Sequence, residues 1–365
     1  MKKVLHYKTN FLNKSETFIH RLIENHQNYS PSALCYRKKS LAGSIPVYES
    51  PKSGFESLKN KAAFHTNLPL PYYRKIVNQL KPDIIHAHFG YDAYKLLEIA
   101  RDTGIPLVTS FYGSDVSRLP SELFWKKRYK KLATNCTFFI AASEFMKSQL
   151  TKLGFPEEKI GTVRFGLDLK EFSSHSNKPD QKNIMMVGRL VEKKGFEYAI
   201  RSIAELKKAG FTPEVNIYGD GPLMNNLKKL TADLNLDNQV RFNGFQPIKK
   251  ISLAHQKHCI LLAPSVTASD GDMEGLPNTI LEAMASGTVV VASDHAAISE
   301  AVKQGETGFL AAERDINGLS EILTQIFREE FNLEQVRKLA RKTIEQDYTI
   351  EKMVSDTERI YDRFV

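Results

Sequence analysis

The sequence predicts an α/β fold built from two doubly wound, parallel-sheet domains that face a central cleft. The chain has 365 residues, which exceeds the size at which a single core usually stops growing. Short apolar runs alternate with segments of helical period through both halves, as expected for parallel strands joined by helical crossovers. A polar stretch at residues 173–182 interrupts this alternation and is interpreted as the interdomain linker.

Ten short apolar runs are predicted to be strands. In the first half they are residues 4–7, 84–87, 107–110, 138–142 and 161–164. In the second half they are residues 184–187, 215–218, 240–243, 260–263 and 288–292. Two Rossmann-like domains place the carboxyl ends of their strands around a crevice, and the active site is expected there.

The predicted domain boundaries follow from these runs. Residues 1–172 form an N-terminal domain, residues 173–182 a linker, and residues 183–347 a C-terminal domain. Residues 348–365 carry apolar side chains at helical spacing. This last segment is predicted to pack back on the N-terminal domain.

Composition and charge narrow the class of protein. Hydrophobic residues make up 42% of the chain and charged residues 25%, which is typical of a globular protein. The net charge of +9 is uneven, because residues 1–180 carry 28 Lys and Arg against 16 Asp and Glu, and residues 181–365 carry 23 against 26. The first half is therefore expected to meet an anionic partner: phosphate, nucleic acid or an acidic membrane surface.

Sequence signals for export are lacking. No apolar run is long enough for a signal peptide or a membrane span, and the three cysteines have no paired spacing. The chain is therefore predicted to be cytoplasmic, with neither a disulfide framework nor a structural zinc site.

The first candidate motif lies where the first strand of the second half ends. Gly188 lets the backbone approach a ligand, while Arg189 and Lys194 supply two cations near a helix N-terminus, where backbone N–H groups favour an anion. This arrangement suits a diphosphate. A glycine turn with two solvated basic side chains explains the same residues equally well.

The second motif surrounds a predicted helix that starts near Pro277 and stops at Gly287. Glu274 in the preceding loop could accept hydrogen bonds from sugar hydroxyls, and Glu282 inside the helix could hold a ribose diol. The acidic pair Asp270 and Asp272 is interpreted as a solvated loop, with no metal assigned.

The third motif consists of two glycine-containing turns after strands, at residues 218–222 and 243–247. Gly221 would allow a flat base to lie against backbone, and Phe245 would shape the pocket beside it. Each turn alone is weak evidence, because glycine is common at strand ends.

In combination, these motifs resemble the retaining glycosyltransferases of family 4, which have the GT-B fold. The matching segments are residues 188–190 with 194–195, 219–222, 274–277 and 282–287 in the second half, and 83–88, 113–115 and 164–168 in the first. Residues 15–19 are similar to a segment found in members that build bacterial exopolysaccharides. The resemblance covers most of the chain.

The resemblance implies a hexosyltransferase that uses a nucleotide diphosphate sugar, with UDP favoured over GDP, and a polysaccharide, lipopolysaccharide or lipid-linked acceptor. The implied donor-binding residues are Gly188, Arg189, Lys194, Gly221, Phe245, Gly275, Leu276, Pro277, Asn278 and Glu282. Glu274 and Asp115 are the implied catalytic residues, and Tyr112 and Ser15 are candidate sugar or acceptor contacts. The leaving phosphate would help to deprotonate the acceptor, so no cofactor, metal or side-chain nucleophile is implied.

Three departures from the family pattern stand out. Tyr112 occupies a position where many relatives have histidine. The glycine pair often found in the first loop is absent, and residues 11–17 replace it. His295 and Ala296 stand in place of the usual glycines, and the sequence suggests no physical reason for this change.

Two further features have alternative interpretations. His86 and His88 lie on a predicted buried strand, where a core histidine is favoured over a catalytic one. The segment 124–131 combines the only tryptophan with five cations, which suits peripheral attachment to an anionic membrane or a solvated helix face.

Two functions other than glycosyl transfer fit parts of the sequence. A nucleic-acid-binding protein would also use a basic, aromatic surface, but it would leave the donor motifs without a purpose, so no nucleic acid is expected. A nucleotide-sugar epimerase or a phosphorylase could share the fold. The Glu274 motif favours a transferase.

Overall fold

The computed structural model describes residues 1–11, 16–39, 44–53, 60, 70–173 and 183–365. Ser15 and all of the predicted linker except Ser173 therefore lie outside the described residues. The chain divides into a first unit, Met1–Gly166 with Ile350–Val365, and a second unit, Leu167–Thr349. Residues 167–172, which the sequence analysis assigned to the N-terminal domain, cluster with the second unit.

The first unit is a parallel α/β sandwich. Its strands are β1 (Lys2–Tyr7), β2 (Asn10–Phe11), β3 (Tyr29–Cys35), β4 (Arg37–Lys38), β5 (Val47–Glu49), β6 (Ile84–His88), β7 (Leu107–Phe111), β8 (Phe138–Ala141) and β9 (Ile160–Thr162). Its helices are α1 (Thr17–Glu24), α2 (Pro71–Leu80), α3 (Gly90–Thr103), α4 (Leu123–Asn135) and α5 (Glu144–Lys152), with the final helix Ile350–Tyr361. The main sheet has the order β5-β3-β1-β6-β7-β8-β9, and β2 pairs separately with β4.

The second unit repeats this plan. Its strands are β10 (Ile184–Val187), β11 (Val215–Tyr218), β12 (Val240–Phe242), β13 (Ile260–Ala263), β14 (Val289–Ser293) and β15 (Phe309–Ala311). Its helices are α6 (Phe196–Lys208), α7 (Met224–Asp233), α8 (Ile248–Lys257), α9 (Asn278–Ser286), α10 (Ile298–Ala301), α11 (Ile316–Phe327) and α12 (Leu333–Asp347), and the final helix is numbered α13. The sheet order is β12-β11-β10-β13-β14-β15.

In both sheets the order of the strands along the chain reverses once, as it does in doubly wound sheets. Counted within the second unit, the order is 3-2-1-4-5-6, with every pairing parallel. The main sheet of the first unit follows the same order and adds a seventh strand. The reversal lies between β1 and β6 in one unit and between β10 and β13 in the other. The predicted α/β class with two doubly wound parallel sheets is confirmed.

All ten predicted strands exist within one or two residues, but β3, β5, β15 and the short pair β2 and β4 were not predicted. Strand β3 contains Pro31, which weakens a strand prediction. Pro31 lies opposite Val4 of β1, and β5 joins the other edge only from Ala33 onwards. Because no strand among the described residues pairs with that other edge at Pro31, the missing N–H costs no ladder hydrogen bond there.

Helix α13 completes the core of the first unit. Met353, Val354 and Tyr361 belong to the same buried apolar cluster as Val4 and Ile84 from the central strands. The apolar spacing of the sequence predicts this helical face correctly. Within the described residues, no helix has both the length and the apolar character needed to span a bilayer.

Candidate functional site

The motifs of the second unit meet at the carboxyl edge of its sheet, where the strand order reverses. Gly188 directly follows β10, and Ser265 follows β13 by two residues. Such reversal points are where open parallel sheets bind ligands. A small hollow of about 10 Å³ at this point is lined in part by Lys194, Ser265, Pro277 and Thr279.

Two glycines allow the loops at this edge to touch. Gly195 has φ +66°, and a Cβ there would lie 1.7 Å from the carbonyl oxygen of Pro264. A Cβ on Gly219 would lie 1.8 Å from the carbonyl oxygen of Gly188. These positions therefore require glycine for packing between loops.

Gly221 also packs against backbone. A Cβ there would lie 2.6 Å from the carbonyl oxygen of Leu190, and the Leu190 N–H donates to the Asp220 carbonyl at 2.9 Å. The structure gives both Gly188 and Gly221 a role in loop packing. Their assignment to a bound donor stays a prediction.

Glu274 lies between two lysines. Its carboxylate oxygens are 3.3 Å from Lys193 Nζ and 3.1 Å from Lys194 Nζ. Lys193 Nζ also pairs with Asp272 at 3.1 Å. These four side chains, which are 10–18% exposed, are called the lysine–carboxylate cluster below.

The cluster keeps Glu274 ionised. Burial alone would raise the pKa of this carboxyl, but the charges and hydrogen bonds of Lys194 and Lys193 outweigh it, so that the pKa is lowered. Glu274 is therefore an anion at neutral pH, able to accept hydrogen bonds.

The sequence motif predicts a role for Lys194 only, and the structure adds its neighbour Lys193. Lys193 is 8% exposed on the 3-10 turn Glu192–Lys194. The sequence signal for Lys193 is the pair of carboxylates at positions 272 and 274, because two buried negative charges need more than one cation to balance them. The solvated-loop interpretation is wrong for Asp272, because it is paired with Lys193 and is mostly buried.

Helix α9 points its N-terminus at this region. Pro277 is the N-cap, so the helix begins at Asn278, one residue later than predicted, and Gly287 ends it in the left-handed conformation as predicted. Gly275 and Leu276 precede the cap, Asn278 starts the helix, and Glu282 is buried within it at 6% exposure. The free N–H groups of the first turn favour an anion beside Lys194.

Two predicted donor contacts lie apart from the cluster. Arg189 is exposed, and its side chain has no partner within the described part of the chain. Phe245 follows Gly244 in a loop and is 65% exposed. Neither contacts Glu274 or Lys194 in the residues described, so their donor contacts stay predictions.

His295 gives a physical reason for one departure from the family pattern. Its ring is buried, its Nδ1 lies 2.6 Å from a carboxylate oxygen of Glu313, and its Nε2 accepts the backbone N–H of Glu274 at 3.4 Å. Because Nε2 accepts, Nδ1 carries the proton. Glu313 in turn accepts the Thr267 N–H at 2.9 Å, so this histidine ties the Glu274 loop to a neighbouring loop.

Asp115 in the first unit organises its own loop. Its side chain is fully buried and accepts the backbone N–H groups of Tyr112, Gly113 and Gly90 at 3.1, 2.9 and 3.2 Å. Burial raises its pKa to about 6 against these hydrogen bonds. All three contacts are internal, and a contact between Asp115 and a substrate stays a prediction.

Tyr112 is half-buried after β7, and its hydroxyl lies 2.6 Å from His88 Nδ1. His86 and His88 are completely buried, which confirms their interpretation as core residues. The structure adds His6, whose ring centroid lies 5.2 and 5.3 Å from those of His86 and His88, and His26, whose ring centroid lies 5.1 Å from that of His6. Burial lowers the pKa of His6 and His88 strongly and that of His86 to about 3.

Two family profiles match the chain. The profile for glycosyl transferases group 1 matches residues 168–346, and the profile for Glycosyltransferase Family 4 matches residues 32–171. Together they cover most of the described structure.

Curated relatives agree with these profiles. The amylovoran biosynthesis glycosyltransferase AmsK of Erwinia amylovora is 36% identical over 271 residues, which are 73% of this chain and 66% of AmsK, slightly under two thirds. The protein WcaL of Escherichia coli (strain K12), named for colanic acid biosynthesis, is 33% identical over 75% of this chain and 69% of its own length.

Solved structures share the fold. Anabaena Alr3699/HepE in complex with UDP aligns with a TM-score of 0.81 and 17% identity over the whole of both chains. The lipopolysaccharide outer core galactosyltransferase WaaB aligns with a TM-score of 0.74, also at 17% identity. At this identity, the likeness establishes the GT-B fold alone.

Proposed function

Because the chain belongs to glycosyltransferase family 4, we propose that it moves a hexose from a nucleoside diphosphate sugar to a cell-surface polysaccharide or lipid-linked acceptor, retaining the anomeric configuration. The relatives named for amylovoran and colanic acid biosynthesis support an exopolysaccharide acceptor. The structural neighbours solved with UDP support a uridine donor over a guanosine donor. The enzyme would work at the cytoplasmic face of the membrane.

The observation that carries this proposal is the Lys194–Glu274 pair beside the N-terminus of α9. A diphosphate at this N-terminus would attract Lys194, since its charge exceeds that of one carboxylate. Lys194 would then exchange Glu274 for a phosphate oxygen, and Glu274 would accept hydrogen bonds from the transferred sugar. Lys193 would keep Glu274 in place during the exchange.

The chemistry then needs charge stabilisation rather than a side-chain nucleophile. As the bond from the anomeric carbon to phosphate oxygen breaks, negative charge builds on the diphosphate, where Lys194, Arg189 and helical N–H groups oppose it. The acceptor oxygen bonds to the anomeric carbon from the same face, and its proton passes to the leaving phosphate. Glu282 would hold the ribose, and the proposal assigns no metal.

Donor binding should depend on the two cations. Arg189→Ala and Lys194→Ala are each expected to weaken binding of UDP or a UDP-sugar about 10- to 100-fold, because each removes a charge-assisted hydrogen bond to phosphate. A thermal-shift titration with UDP, UDP-glucose and GDP-mannose measures this, since a ligand that binds the folded state raises its apparent stability.

Lys229→Ala is the matched control, since Lys229 is an exposed lysine of the same unit. Equal affinities in all three variants would contradict the assigned donor site. Conversion of the nucleotide sugar to an epimer without any acceptor would favour the epimerase alternative.

We also propose that the first unit has a membrane-facing surface. Leu123 and Phe124 at the start of α4 are 81% and 55% exposed, and the Arg128 guanidinium lies 3.6 Å from the Phe124 ring centroid. Lys126, Lys130 and Lys159 line an open hollow of about 550 Å³ nearby. Exposed apolar side chains next to cations are typical of peripheral membrane contact.

Vesicle binding should reveal this surface. Lys126→Glu with Lys130→Glu is expected to weaken binding to vesicles of phosphatidylglycerol and phosphatidylcholine about tenfold or more, because each cation near an anionic surface contributes about 1 kcal/mol. The control is Lys229→Glu with Lys338→Glu in the second unit. Equal sedimentation of both double variants with the vesicles would contradict the assignment.

A further inference from the structure

Four histidines meet in the core of the first unit, outside the donor site. His6 comes from β1, His86 and His88 come from β6, and His26 follows α1. His6 and His86 are register partners in adjacent strands. All four side chains are buried, with 0–1% exposure.

Three of these rings form one continuous hydrogen-bonded row. His88 Nε2 lies 3.0 Å from His6 Nδ1, and His6 Nε2 lies 3.0 Å from His26 Nε2. The row ends at Tyr112 on one side, 2.6 Å from His88 Nδ1, and at Glu358 of α13 on the other, 3.0 Å from His26 Nδ1. These five residues are called the histidine row below.

The negative charge on Glu358 determines which atom is the hydrogen-bond donor at its end of the row. Its carboxylate also accepts the backbone N–H groups of Gln27 and Asn28 at 2.8 and 3.2 Å and the Asn28 side-chain amide at 2.8 Å. Burial would raise the pKa of this carboxyl, but these hydrogen bonds and the one from His26 lower it. An ionised carboxylate can only accept, so His26 Nδ1 must carry a proton.

Each neutral imidazole has one donor nitrogen and one acceptor nitrogen, so the direction of one hydrogen bond determines the direction of the next. His26 Nε2 must accept, so His6 donates from Nε2. His6 Nδ1 must then accept, so His88 donates from Nε2. His88 Nδ1 is left as an acceptor, and the hydroxyl of Tyr112 is its donor.

We propose that the histidine row is a single hydrogen-bond relay in which every donor points towards Glu358, so that the Tyr112 hydroxyl donates to His88 and its oxygen can only accept further hydrogen bonds. The consequence for the ligand rests on the proposed function. A sugar hydroxyl fits the phenol oxygen, whereas a phosphate or carboxylate oxygen does not. Glu358, His26, His6 and His88 are then positioning residues for Tyr112 and its loop.

His86 lies beside the relay without belonging to it. Its two ring nitrogens bond to the hydroxyls of Ser110 and Tyr361, each of which can donate or accept. Nitrogens of His6, His86 and His88 also lie within 4.8 Å of one another, a spacing that could hold a metal ion. A metal would need one nitrogen lone pair from each ring, and in the relay the lone pairs of His6 and His88 already accept hydrogen bonds from His88 and Tyr112. The relay and a metal centre therefore exclude each other.

The test is the protonation state of each ring, read by two-bond nitrogen–proton NMR on histidine-labelled protein at neutral pH without substrate. We expect a proton on Nδ1 of His26, on Nε2 of His6 and on Nε2 of His88, with no ring doubly protonated. A proton on His88 Nδ1, or stoichiometric metal in the purified protein by elemental analysis, would overturn the proposal.

Glu358→Gln provides a second measurement, because an amide can donate as well as accept. The loss of charge should shift the ring signals of His88, which residue 358 does not touch. Glu351→Gln, an exposed position of the same helix, should leave them unchanged. A change confined to His26 would mean that Glu358 acts only locally and would refute the relay. Because no reading requires turnover, failure of the proposed glycosyl transfer would leave this test intact.

Discussion

Glu274→Gln is expected to lower turnover on the order of 100-fold while leaving nucleotide affinity equal or tighter, since mispositioning of the reacting group by about 1 Å costs that much. The amide keeps the shape of the side chain but loses the charge that pairs with Lys193 and Lys194. Lys194 is then freer to meet a diphosphate, whereas the sugar loses its strongest hydrogen-bond acceptor. Binding and turnover should therefore move in opposite directions.

Isothermal titration with UDP and a steady-state transfer assay separate the two effects. Glu306→Gln, an exposed glutamate of the same unit, serves as the control. Normal turnover of Glu274→Gln would remove Glu274 from the reaction. Loss of both binding and turnover would instead indicate that the loop had collapsed.

Acidification should unfold the first unit well before ordinary carboxylates titrate. Burial lowers the pKa of His6, His26, His86 and His88 in the folded state, so below their ordinary pKa of about 6.5 the unfolded chain binds more protons than the folded one. Stability is complete above that pH and falls as the pH is lowered. The three histidines with the larger shifts, His6, His86 and His88, contribute about 1.4 kcal/mol per pH unit each and together give a slope of about 4 kcal/mol per unit, to which His26 adds.

One group opposes this trend. The pKa of Asp115 is raised to about 6, so it favours the folded state as the pH falls from 6 towards 4 and reduces the slope by about 1.4 kcal/mol per unit. The lowered pKa of Glu358 acts only below about 4.5. Between pH 6.5 and 4.5 we therefore expect a net loss of about 3 kcal/mol per unit.

Urea unfolding followed by fluorescence measures this loss directly, because the single tryptophan, Trp125, belongs to the first unit. His86→Gln should reduce the slope by about 1.4 kcal/mol per pH unit. A midpoint that is independent of pH, or that rises on acidification, would contradict buried neutral histidines.

The fold could be predicted from the sequence because its strands and helices follow from local sequence patterns. Apolar runs and helical periods locate strands, and parallel order follows from their alternation. Strand β3 escaped because Pro31 is tolerated only where no neighbouring strand needs its N–H, and that condition depends on where β5 begins. The register between two strands that are distant in sequence cannot be predicted from either strand alone.

The candidate site was predicted in part for the same reason. Glu274, Lys194 and α9 lie in a recognisable order along the chain, and the structure brings them together. Lys193, Glu313 and the role of His295 depend on contacts between loops that are far apart in sequence. The histidine row depends on a carboxylate 332 positions from His26, which no spacing rule could supply.

Helix α13 also sets an order on biosynthesis. It supplies Met353, Val354 and Tyr361 to the first unit, and Glu358 to the buried imidazoles, yet it leaves the ribosome after all of Leu167–Thr349. The second unit can therefore fold while the first unit still lacks helix α13. During that interval, the nascent first unit exposes an apolar sheet face and unpaired imidazoles, which makes it the natural client of a chaperone.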